Sequence, residues 1–416
     1  MQHSSDSSLS ALDDCNQCGF CLPACPTYQR SGLESESPRG RLHLMNQVHR
    51  GETSAKTIVP HLDTCLRCRA CEPACPPGVP YHDILKTFEE KLDSRDTAKT
   101  NALDLLSASL LRFFLPRQRW LHPTLRAVRR FPVFGKLLPP AFRRWMMATP
   151  ASLPPLREVP AAYAGRGIKR GTIALITGCH QSTLLPDIRE AAIEVLIRNG
   201  FDVVLPDLQR CCGAASSALD DPEEARKFAT TFLTNLPDDL EAIITTNQLC
   251  HQGLQSLPSL LEQQPDAPSL GSLALLSDFS QFLQTIELAP LPRLSDPAKA
   301  VYVDPCSHRF TQQIAIAPRA LLQRIEGLEI QDVEEKDACC GAPDFYAIKQ
   351  PMMAKELGEH RLQNILNTGR DVVISGDPGC LIHLQHHAKA LGKSLTFFHT
   401  AEVLALAYKG LPLRPR

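Results

Sequence analysis

The sequence predicts a multidomain protein of the α and α/β classes, in which a helical amino-terminal domain precedes two repeated α/β domains. The first observation is a cluster of four cysteines in CNQCGFCLPACP, residues 15–26, which occurs again in CLRCRACEPACP, residues 65–76. The second is a pattern of apolar runs, helical segments and cysteines that occurs twice after residue 169. The third is a content of 43% hydrophobic and 21% charged residues, which is typical of globular domains with sizeable cores.

Charge and the amino terminus argue against several classes of protein. The formal net charge of the 416 residues is −1, so we expect no nucleic-acid partner. The polar start MQHSSDSSLSALDD lacks the basic and apolar regions of a secretory signal, and no apolar run is long enough to cross a membrane. The 16 cysteines then indicate a reducing compartment, with disulfides as the disfavoured alternative. We therefore expect a cytoplasmic protein.

Each amino-terminal cluster has the spacing Cys-x2-Cys-x2-Cys-x3-Cys-Pro. Bacterial ferredoxins bind 4Fe–4S clusters with this spacing, and in proteins with two clusters the fourth cysteine binds the cluster of the other loop. The sequence therefore predicts two 4Fe–4S clusters with exchanged fourth ligands. The predicted ligands of cluster 1 are Cys15, Cys18, Cys21 and Cys75. Those of cluster 2 are Cys65, Cys68, Cys71 and Cys25.

Zinc is the competing metal, because Cys-x2-Cys pairs also form tetrahedral sites, but it would leave the third cysteine of each loop without a role. Residues 38–51 and 81–94 have helical periodicity, with Leu42, Met45 and Val48 on one face of the first segment. We expect residues 1–100 to form an α-helical ferredoxin domain with a long insertion, not the compact form that contains a sheet.

Residues 101–168 are predicted to be a basic and aromatic connector. No acidic residue lies between Leu105 and Met147, and this stretch contains both tryptophans, Trp120 and Trp145. Its nine basic residues are Arg112, Arg117, Arg119, Arg126, Arg129, Arg130, Lys136, Arg143 and Arg144. Such a surface suits an anionic membrane or an acidic partner subunit, and the alternative is a strap whose aromatic side chains pack onto the domains that it joins.

Prolines interrupt the connector at five places, which argues against one long amphipathic helix. These residues are Pro116, Pro123, Pro132, Pro139 and Pro140.

The remaining eight cysteines form a second repeat, at offsets of 127 to 130 residues. The first copy, residues 169–290, contains Cys179, Cys211, Cys212 and Cys250. The second copy, residues 297–416, contains Cys306, Cys339, Cys340 and Cys380. Apolar runs that alternate with helical segments predict parallel sheets, with the cysteines beyond the carboxyl ends of the strands.

These eight cysteines are candidate additional ligands of a further iron–sulfur or other metal centre in the cysteine-rich (CCG) domains. The alternative is that they are small buried residues of a fold that lost its cofactor. Three histidines near them, His180, His251 and His308, are weaker candidates, since loop histidines more often face solvent or the backbone. Three others, His383, His386 and His387, are predicted to form the polar face of a helix.

Two ferredoxin motifs followed by two Cys-Cys-Gly domains resemble the iron–sulfur subunit of bacterial glycolate oxidase. The similar stretches are CGFCLPACPTYQ, SPRGRLHLMNQV, HLDTCLRCRACEPACPPGV, ITGCHQ and SGDPGCLIHLQ. The resemblance implies an electron-transfer subunit of an oxidoreductase complex. An FAD-containing partner subunit would oxidise glycolate to glyoxylate, and this chain would pass the electrons to a quinone or another membrane acceptor. It also implies a cytoplasmic protein that is peripheral on the inner face of the membrane, and that the eight ferredoxin cysteines are the cluster ligands.

The sequence departs from the family pattern where Asn247 and Asp377 stand at the first position of a Cys-x2-Cys pair. Three rival hypotheses remain. One is the iron–sulfur subunit of anaerobic glycerol-3-phosphate dehydrogenase, which shares this domain order. Another is an enzyme like heterodisulfide reductase, which acts on a disulfide itself. The third is an iron or redox sensor.

Overall fold

A computed structural model describes most of the chain. The described residues are 9–92, 102–114, 117–131, 138–150, 153–155, 159–206, 212–219, 221–261, 268–290, 293–343 and 345–414. Cys211, Lys136, Pro116 and Pro132 lie outside these residues, as does the side chain of Arg119.

The amino-terminal domain is helical, and residues 9–92 contain no strand. Its helices are α1 (Pro26–Ser31), α2 (Pro38–His49), α3 (Ala55–Asp63) and α4 (Tyr81–Lys91), with short 3-10 turns at Ala11–Asp14 and Glu34–Glu36. Helix α2 begins at a proline, and the Ser37 hydroxyl caps it by accepting a hydrogen bond from the Gly40 amide. Leu42 and Met45 are buried and Val48 is half-buried, so the predicted apolar face of α2 contacts the core.

Three further helices follow in the connector. They are α5 (Ala102–Phe114), α6 (Gln118–Arg130) and α7 (Pro140–Ala148). Pro123 is expected to interrupt the connector, but it lies inside α6, and the helix continues past it to Arg130. Phe142 and Trp145 of α7 are buried in a core with Leu184 and Ile348 from the two α/β domains. The packing predicted for a strap is therefore confirmed.

The first α/β domain has a five-stranded sheet in the order β1-β3-β2-β4-β5. Its strands are β1 (Ala162–Tyr163), β2 (Gly171–Ile176), β3 (Phe201–Val204), β4 (Ala242–Thr245) and β5 (Leu276–Asp278). All neighbours pair in parallel except β1, which is antiparallel to β3 at the edge. Its helices are α8 (Cys179–Leu184), α9 (Pro186–Arg198), α10 (Ala214–Ala218), α11 (Pro222–Thr234), α12 (Gln248–Gln255), α13 (Leu257–Leu261) and α14 (Phe279–Thr285).

The second α/β domain has a four-stranded parallel sheet in the order β7-β6-β8-β9. Its strands are β6 (Ala298–Val303), β7 (Leu328–Asp332), β8 (Val372–Ser375) and β9 (Thr396–His399). A π-helical turn, Ser307–Thr311, follows β6. The helices are α15 (Ile316–Leu322), α16 (Tyr346–Lys349), α17 (Pro351–Asn367), α18 (Pro378–Ala390) and α19 (Thr400–Tyr408).

The two sheets repeat one topology, because β3-β2-β4-β5 corresponds in order to β7-β6-β8-β9. The central strands β2, β4, β6 and β8 are continuous apolar runs that are buried on both faces, as is typical of parallel sheets covered by helices. One large core contains residues of both copies, with α9 of the first packed on α19 of the second. The predicted fold class is confirmed, whereas the domain boundaries stay predictions.

The prediction for the histidines of α18 is wrong in two of three cases. His383 and His387 are buried, and both rings lie against Gly358 of α17. The Nε2 atoms of these two rings are 3.2 Å apart, and His383 Nε2 lies 3.1 Å from the Ala354 carbonyl oxygen. Only His386 is exposed. The face is polar in sequence but packs against a helix whose glycine makes room for the rings.

No helix among the described residues has the length and apolar character needed to cross a bilayer.

Candidate functional site

The two amino-terminal cysteine loops have the same backbone shape. Gln17 and Arg67, which occupy equivalent positions before the second cysteine, have φ of 59° and 53°. Gly19 and Arg69, after that cysteine, have φ of 83° and 60°. Three of these four residues are not glycine, and left-handed backbone at such residues is uncommon and costs free energy. Each loop therefore turns back on itself in the way required to bring its sulfurs to one side.

One cavity, the first pocket, lies under the first loop. Its cysteines are Cys15, Cys18, Cys21, Cys71 and Cys75. Arg39, Pro38 and Tyr81 also line it. Four of the five cysteines are those predicted for cluster 1. Cys75 comes from the second loop, so this pocket combines both parts of the repeat.

A second cavity, the second pocket, lies under the second loop. Its cysteines are Cys25, Cys65, Cys68 and Cys71, the set predicted for cluster 2. The Tyr81 hydroxyl lies 3.6 Å from Cys65 Sγ, and the Arg67 amide lies 3.4 Å from the same sulfur. Burial raises the pKa of the Cys68 and Cys71 thiols well above the usual range.

The two pockets are neighbours, since Cys71 and Tyr81 line both. The structure brings Cys75 to the first loop and Cys25 to the second, which is the exchange that the spacing predicts. Which sulfurs bind iron stays a prediction. Among the described residues, no three Cys, His, Asp or Glu side chains are grouped in the manner of a single-ion site. Two pockets that each offer four or more thiols fit 4Fe–4S clusters, which are held by four cysteine thiolates.

A buried ionic network supports the second pocket from α2. The Arg41 side chain lines this pocket and is 1% exposed. Its Nη2 donates hydrogen bonds to Glu36 Oε2 at 3.0 Å and to Thr64 Oγ1 at 2.7 Å, and its Nε donates to the His61 carbonyl at 2.8 Å. Burial lowers the pKa of Arg41, but the negative groups around it outweigh burial and raise the pKa. The network thus places a fixed positive charge beside the second pocket.

In the second α/β domain, the cysteines also come together. We call Cys306, Cys339, Cys340 and Cys380 the second-copy sulfurs. Cys340 Sγ and Cys380 Sγ are 2.8 Å apart, and the Gly341 amide donates to Cys339 Sγ at 3.3 Å. Hydrogen bonds from Cys306 and Cys340 hold the pKa of Cys339 well below its usual range despite burial. All four lie beyond the carboxyl ends of strands, as predicted.

The first α/β domain places Cys179, Cys212 and Cys250 in apolar cores. Gly178 has φ +69°, and a Cβ built there would lie 2.6 Å from Cys250 Sγ, so this glycine allows a close approach of the backbone to sulfur. Cys211, the fourth candidate, lies outside the described residues.

The histidines near these cysteines have contacts of other kinds. The His180 ring is 5.8 Å from the Trp145 ring, and burial lowers the pKa of His180 to about 4. His251 Nδ1 lies 2.8 Å from Thr245 Oγ1. His308 Nε2 lies 3.3 Å from Asp278 Oδ2. These contacts position the loops and join the domains.

Sequence reasoning missed the roles of Asn247 and Asp377. The Asn247 side chain accepts a hydrogen bond from the Cys250 amide at 3.2 Å, and Asp377 accepts one from the Cys380 amide at 3.0 Å. Each residue is thus the N-cap of the helix that carries the last cysteine of its copy. Asn and Asp are preferred N-caps, so the signal was present in the sequence. Asn247 and Asp377, which stand where the family pattern has a cysteine, are therefore explained by their role as N-caps.

Family models match three parts of the chain. Residues 11–79 match a 4Fe-4S dicluster domain, and residues 173–255 and 300–385 each match a cysteine-rich domain called CCG. The chain therefore combines a 4Fe–4S dicluster domain with two cysteine-rich domains, which places it among iron–sulfur proteins.

Three curated relatives are similar to this chain. The probable glycolate oxidase iron-sulfur subunit of Bacillus subtilis (strain 168) is 28% identical, over 94% of this chain and 93% of that protein. The glycolate oxidase iron-sulfur subunit of Escherichia coli (strain K12) is 29% identical, over 90% of each. Lactate utilization protein A of Halalkalibacterium halodurans is 25% identical, over 56% of this chain and 96% of that protein. The resemblance to glycolate oxidase iron–sulfur subunits that the motifs predicted is confirmed.

Proposed function

We propose that this protein is the iron–sulfur electron-transfer subunit of an oxidoreductase complex of the glycolate oxidase type. The observation that carries the proposal is the pair of adjacent pockets, each lined by cysteines of both amino-terminal loops. Their residues fit two 4Fe–4S clusters, with Cys15, Cys18, Cys21 and Cys75 at one and Cys65, Cys68, Cys71 and Cys25 at the other. Bound there, such clusters supply one-electron transfer. The proposed partner is an FAD-containing subunit that oxidises glycolate to glyoxylate.

The chain's own residues hold and tune these sites. The loop residues with left-handed backbone orient the thiols, and Cys25 and Cys71 of the second pocket are buried. Arg39 lines the first pocket and Arg41 the second, so each has a cation that compensates thiolate charge. Cys18 of the first pocket is exposed whereas Cys25 of the second is buried, so the first pocket is the more accessible to a partner protein.

The connector supports a peripheral location at the cytoplasmic face of the membrane, where a quinone would accept the electrons. Trp120, Phe113 and Phe131 have exposed fractions of 64%, 47% and 56%. Arg126 and Arg130 of α6 are also exposed. Aromatic rings and arginines together bind the interface of an anionic bilayer. If the connector binds membranes, the chain should sediment with vesicles that contain anionic lipid. Trp120→Ser should reduce the fraction of the chain that sediments.

The substrate of the complex is tested by reduction of the clusters. The anaerobic chain is mixed with its cognate flavoprotein and then with glycolate, lactate or glycerol 3-phosphate, while the visible absorbance of the clusters is recorded. We expect glycolate to bleach the clusters fastest. Faster bleaching by glycerol 3-phosphate would support the rival dehydrogenase, and faster bleaching by lactate would favour the lactate-utilisation relatives. Turnover of a disulfide by the isolated chain would indicate a reductase.

The exchanged ligands are tested by pairs of serine variants. Cys75→Ser should alter the same EPR signal as Cys18→Ser, and Cys25→Ser the same signal as Cys68→Ser. If Cys75→Ser instead altered the signal that depends on Cys68, the assignment of the fourth ligands would be wrong.

A further inference from the structure

A fully buried arginine lies beside the second-copy sulfurs. Arg361 is on α17, and its exposed fraction is 0%. Burial lowers its pKa, whereas Cys340, Asp304 and Cys380 act in the opposite direction, so its guanidinium lies within electrostatic reach of these sulfurs. An isolated buried cation is costly, and thiolates are anions that would compensate it.

The arginine also holds the loop that presents the Cys-Cys-Gly turn. Arg361 Nη1 donates to the Glu335 carbonyl at 2.7 Å, and Nη2 donates to the Lys336 carbonyl at 3.2 Å. Its Nε is buried and has no hydrogen-bond partner among the described residues. The side chain therefore has one buried donor still to satisfy, and Cys339, Cys340 and Cys380 lie within its electrostatic range.

The first copy has no cation at the equivalent place. The glycine of each Cys-Cys-Gly turn lies close to one helix of its copy. A Cβ at Gly341 would lie 2.6 Å from the Ala354 carbonyl of α17, and a Cβ at Gly213 would lie 2.6 Å from the Ala225 carbonyl of α11. Helices α17 and α11 therefore occupy equivalent places in the two copies. Seven residues after Ala354 comes Arg361, and seven residues after Ala225 comes Phe232, which is buried. Arg361 is thus a particular feature of the second copy.

The second-copy sulfurs lie against the second pocket. Cys68 of that pocket and Cys306 pack on a buried cluster that contains Cys339, Leu66 and Tyr346. The Tyr346 hydroxyl donates to the carbonyl of Thr64, the residue before Cys65, at 2.8 Å. A hydrogen bond and a buried apolar contact therefore join the segments that carry the two sets of cysteines.

We propose that Arg361 is the charge-compensating residue of a third iron–sulfur group, bound by the second-copy sulfurs and coupled to the group of the second pocket. The inference rests on the proposed function and extends it. The chemistry that both groups supply is the exchange of one electron, in which one group is oxidised as the other is reduced and no covalent bond changes. Arg39, Arg41 and Arg361 then each compensate the negative charge of thiolates at one of three successive iron–sulfur sites.

The test uses the full chain, prepared anaerobically and reduced stepwise with dithionite. Iron, sulfide and EPR signals are measured for the wild type and for Arg361→Met, Arg361→Lys and Arg370→Met. We expect the wild type to hold more than about eight irons, which is the content of two 4Fe–4S clusters, and to show a third signal. In Arg361→Met the third signal should shift to a lower potential or disappear, because a reduced group gains negative charge that this cation stabilises.

The other variants are matched controls. Arg361→Lys keeps the charge and should keep the potential near that of the wild type. Arg370→Met removes an arginine that pairs with Glu329 at the opposite end of the sheet, and it should leave all signals unchanged. If Arg361→Met fails to fold, Cys339→Ser replaces it and should remove only the third signal. Coupling predicts that the third signal is broadened in the wild type and narrows when Cys65→Ala removes the group of the second pocket.

The proposal is overturned if the wild type holds no more than about eight irons and shows two signals. It is also overturned if the third signal of a folded Arg361→Met protein titrates as in the wild type. Because dithionite replaces the partner flavoprotein, these outcomes are independent of the substrate and partner of the complex.

Discussion

Two arginines of α2 illustrate how strongly burial changes the contribution of an ion pair to stability. Arg41 is buried and pairs with a Glu36 carboxylate that is itself buried and also contacts His61 and Thr64. Arg39 pairs with Glu34 at 2.6 Å, but both side chains are partly exposed. A buried pair is strongly destabilising when one partner is removed, whereas an exposed pair contributes little.

We predict that Arg41→Met lowers the free energy of unfolding by about 3–5 kcal/mol, because it leaves the Glu36 carboxylate buried without its cation. Arg39→Met, two residues away, should cost at most about 1 kcal/mol. Denaturant unfolding of the full chain measures both, with iron content determined in each sample so that loss of a cluster is counted separately. The double variant Arg41→Met with Glu36→Gln should recover part of the loss. Equal effects of the two single variants would contradict the role of burial.

At the scale of elements, helices α12 and α18 begin in the same way in the two copies. Asn247 and Asp377 cap them, and each cap fixes the first turn that presents Cys250 or Cys380. The caps are not equivalent. Asp377 also accepts a hydrogen bond from the Gln248 amide at 3.2 Å, so it joins the start of α18 to the start of α12.

Replacing either cap with alanine should therefore destabilise the chain, and Asp377→Ala should do so more. We expect about 1 kcal/mol for Asn247→Ala and about 2 kcal/mol for Asp377→Ala, which also loses a contact between the copies. Asp377→Asn, which keeps an N-cap, should lie close to the wild type. Melting temperatures of the three variants provide the comparison, and a larger effect of Asn247→Ala would show that the bond to Gln248 contributes nothing.

The elements also show what could be predicted from sequence. The ferredoxin spacing and the apolar runs of β2 and β6 are local signals, and the helical domain and the two parallel sheets followed from them. The burial of His383 and His387 was not predicted, because it depends on Gly358 of a helix that is distant in sequence. In sequence, Arg361 cannot be distinguished from an exposed charged residue of an amphipathic helix. It is buried because α17 packs against the Cys-Cys-Gly loop. Interactions between elements decided each of these cases.

At the scale of the whole molecule, the two copies form one unit with buried polar contacts across their junction. Asp278 of the first copy ends β5 and caps α14, where it accepts a hydrogen bond from the Ser280 amide at 2.7 Å. The same carboxylate lies 3.3 Å from His308 of the second copy, and both side chains are almost completely buried. Burial tends to raise the pKa of Asp278, but His308 and the Ser280 amide hold it below its usual value.

Asp278→Asn isolates this contact between the copies, because asparagine still caps α14 but carries no charge. We predict that it lowers the free energy of unfolding at pH 7 by about 3 kcal/mol, since it removes a buried carboxylate that contacts His308 across the junction. The matched control is Glu326→Gln. The pair that Glu326 makes with Arg293 is 3.6 Å long and exposed, so its loss should cost less than about 1 kcal/mol.

The contribution of Asp278 to stability should depend on pH. Because the folded pKa of Asp278 is depressed, this contribution is present above the pKa of an unfolded aspartate, about 4, and is lost as the pH falls through the folded value. The difference in stability between the wild type and Asp278→Asn should therefore shrink below pH of about 4. Equal melting temperatures for Asp278→Asn and Glu326→Gln at pH 7 would show that the contact between Asp278 and His308 contributes no more to stability than an exposed pair.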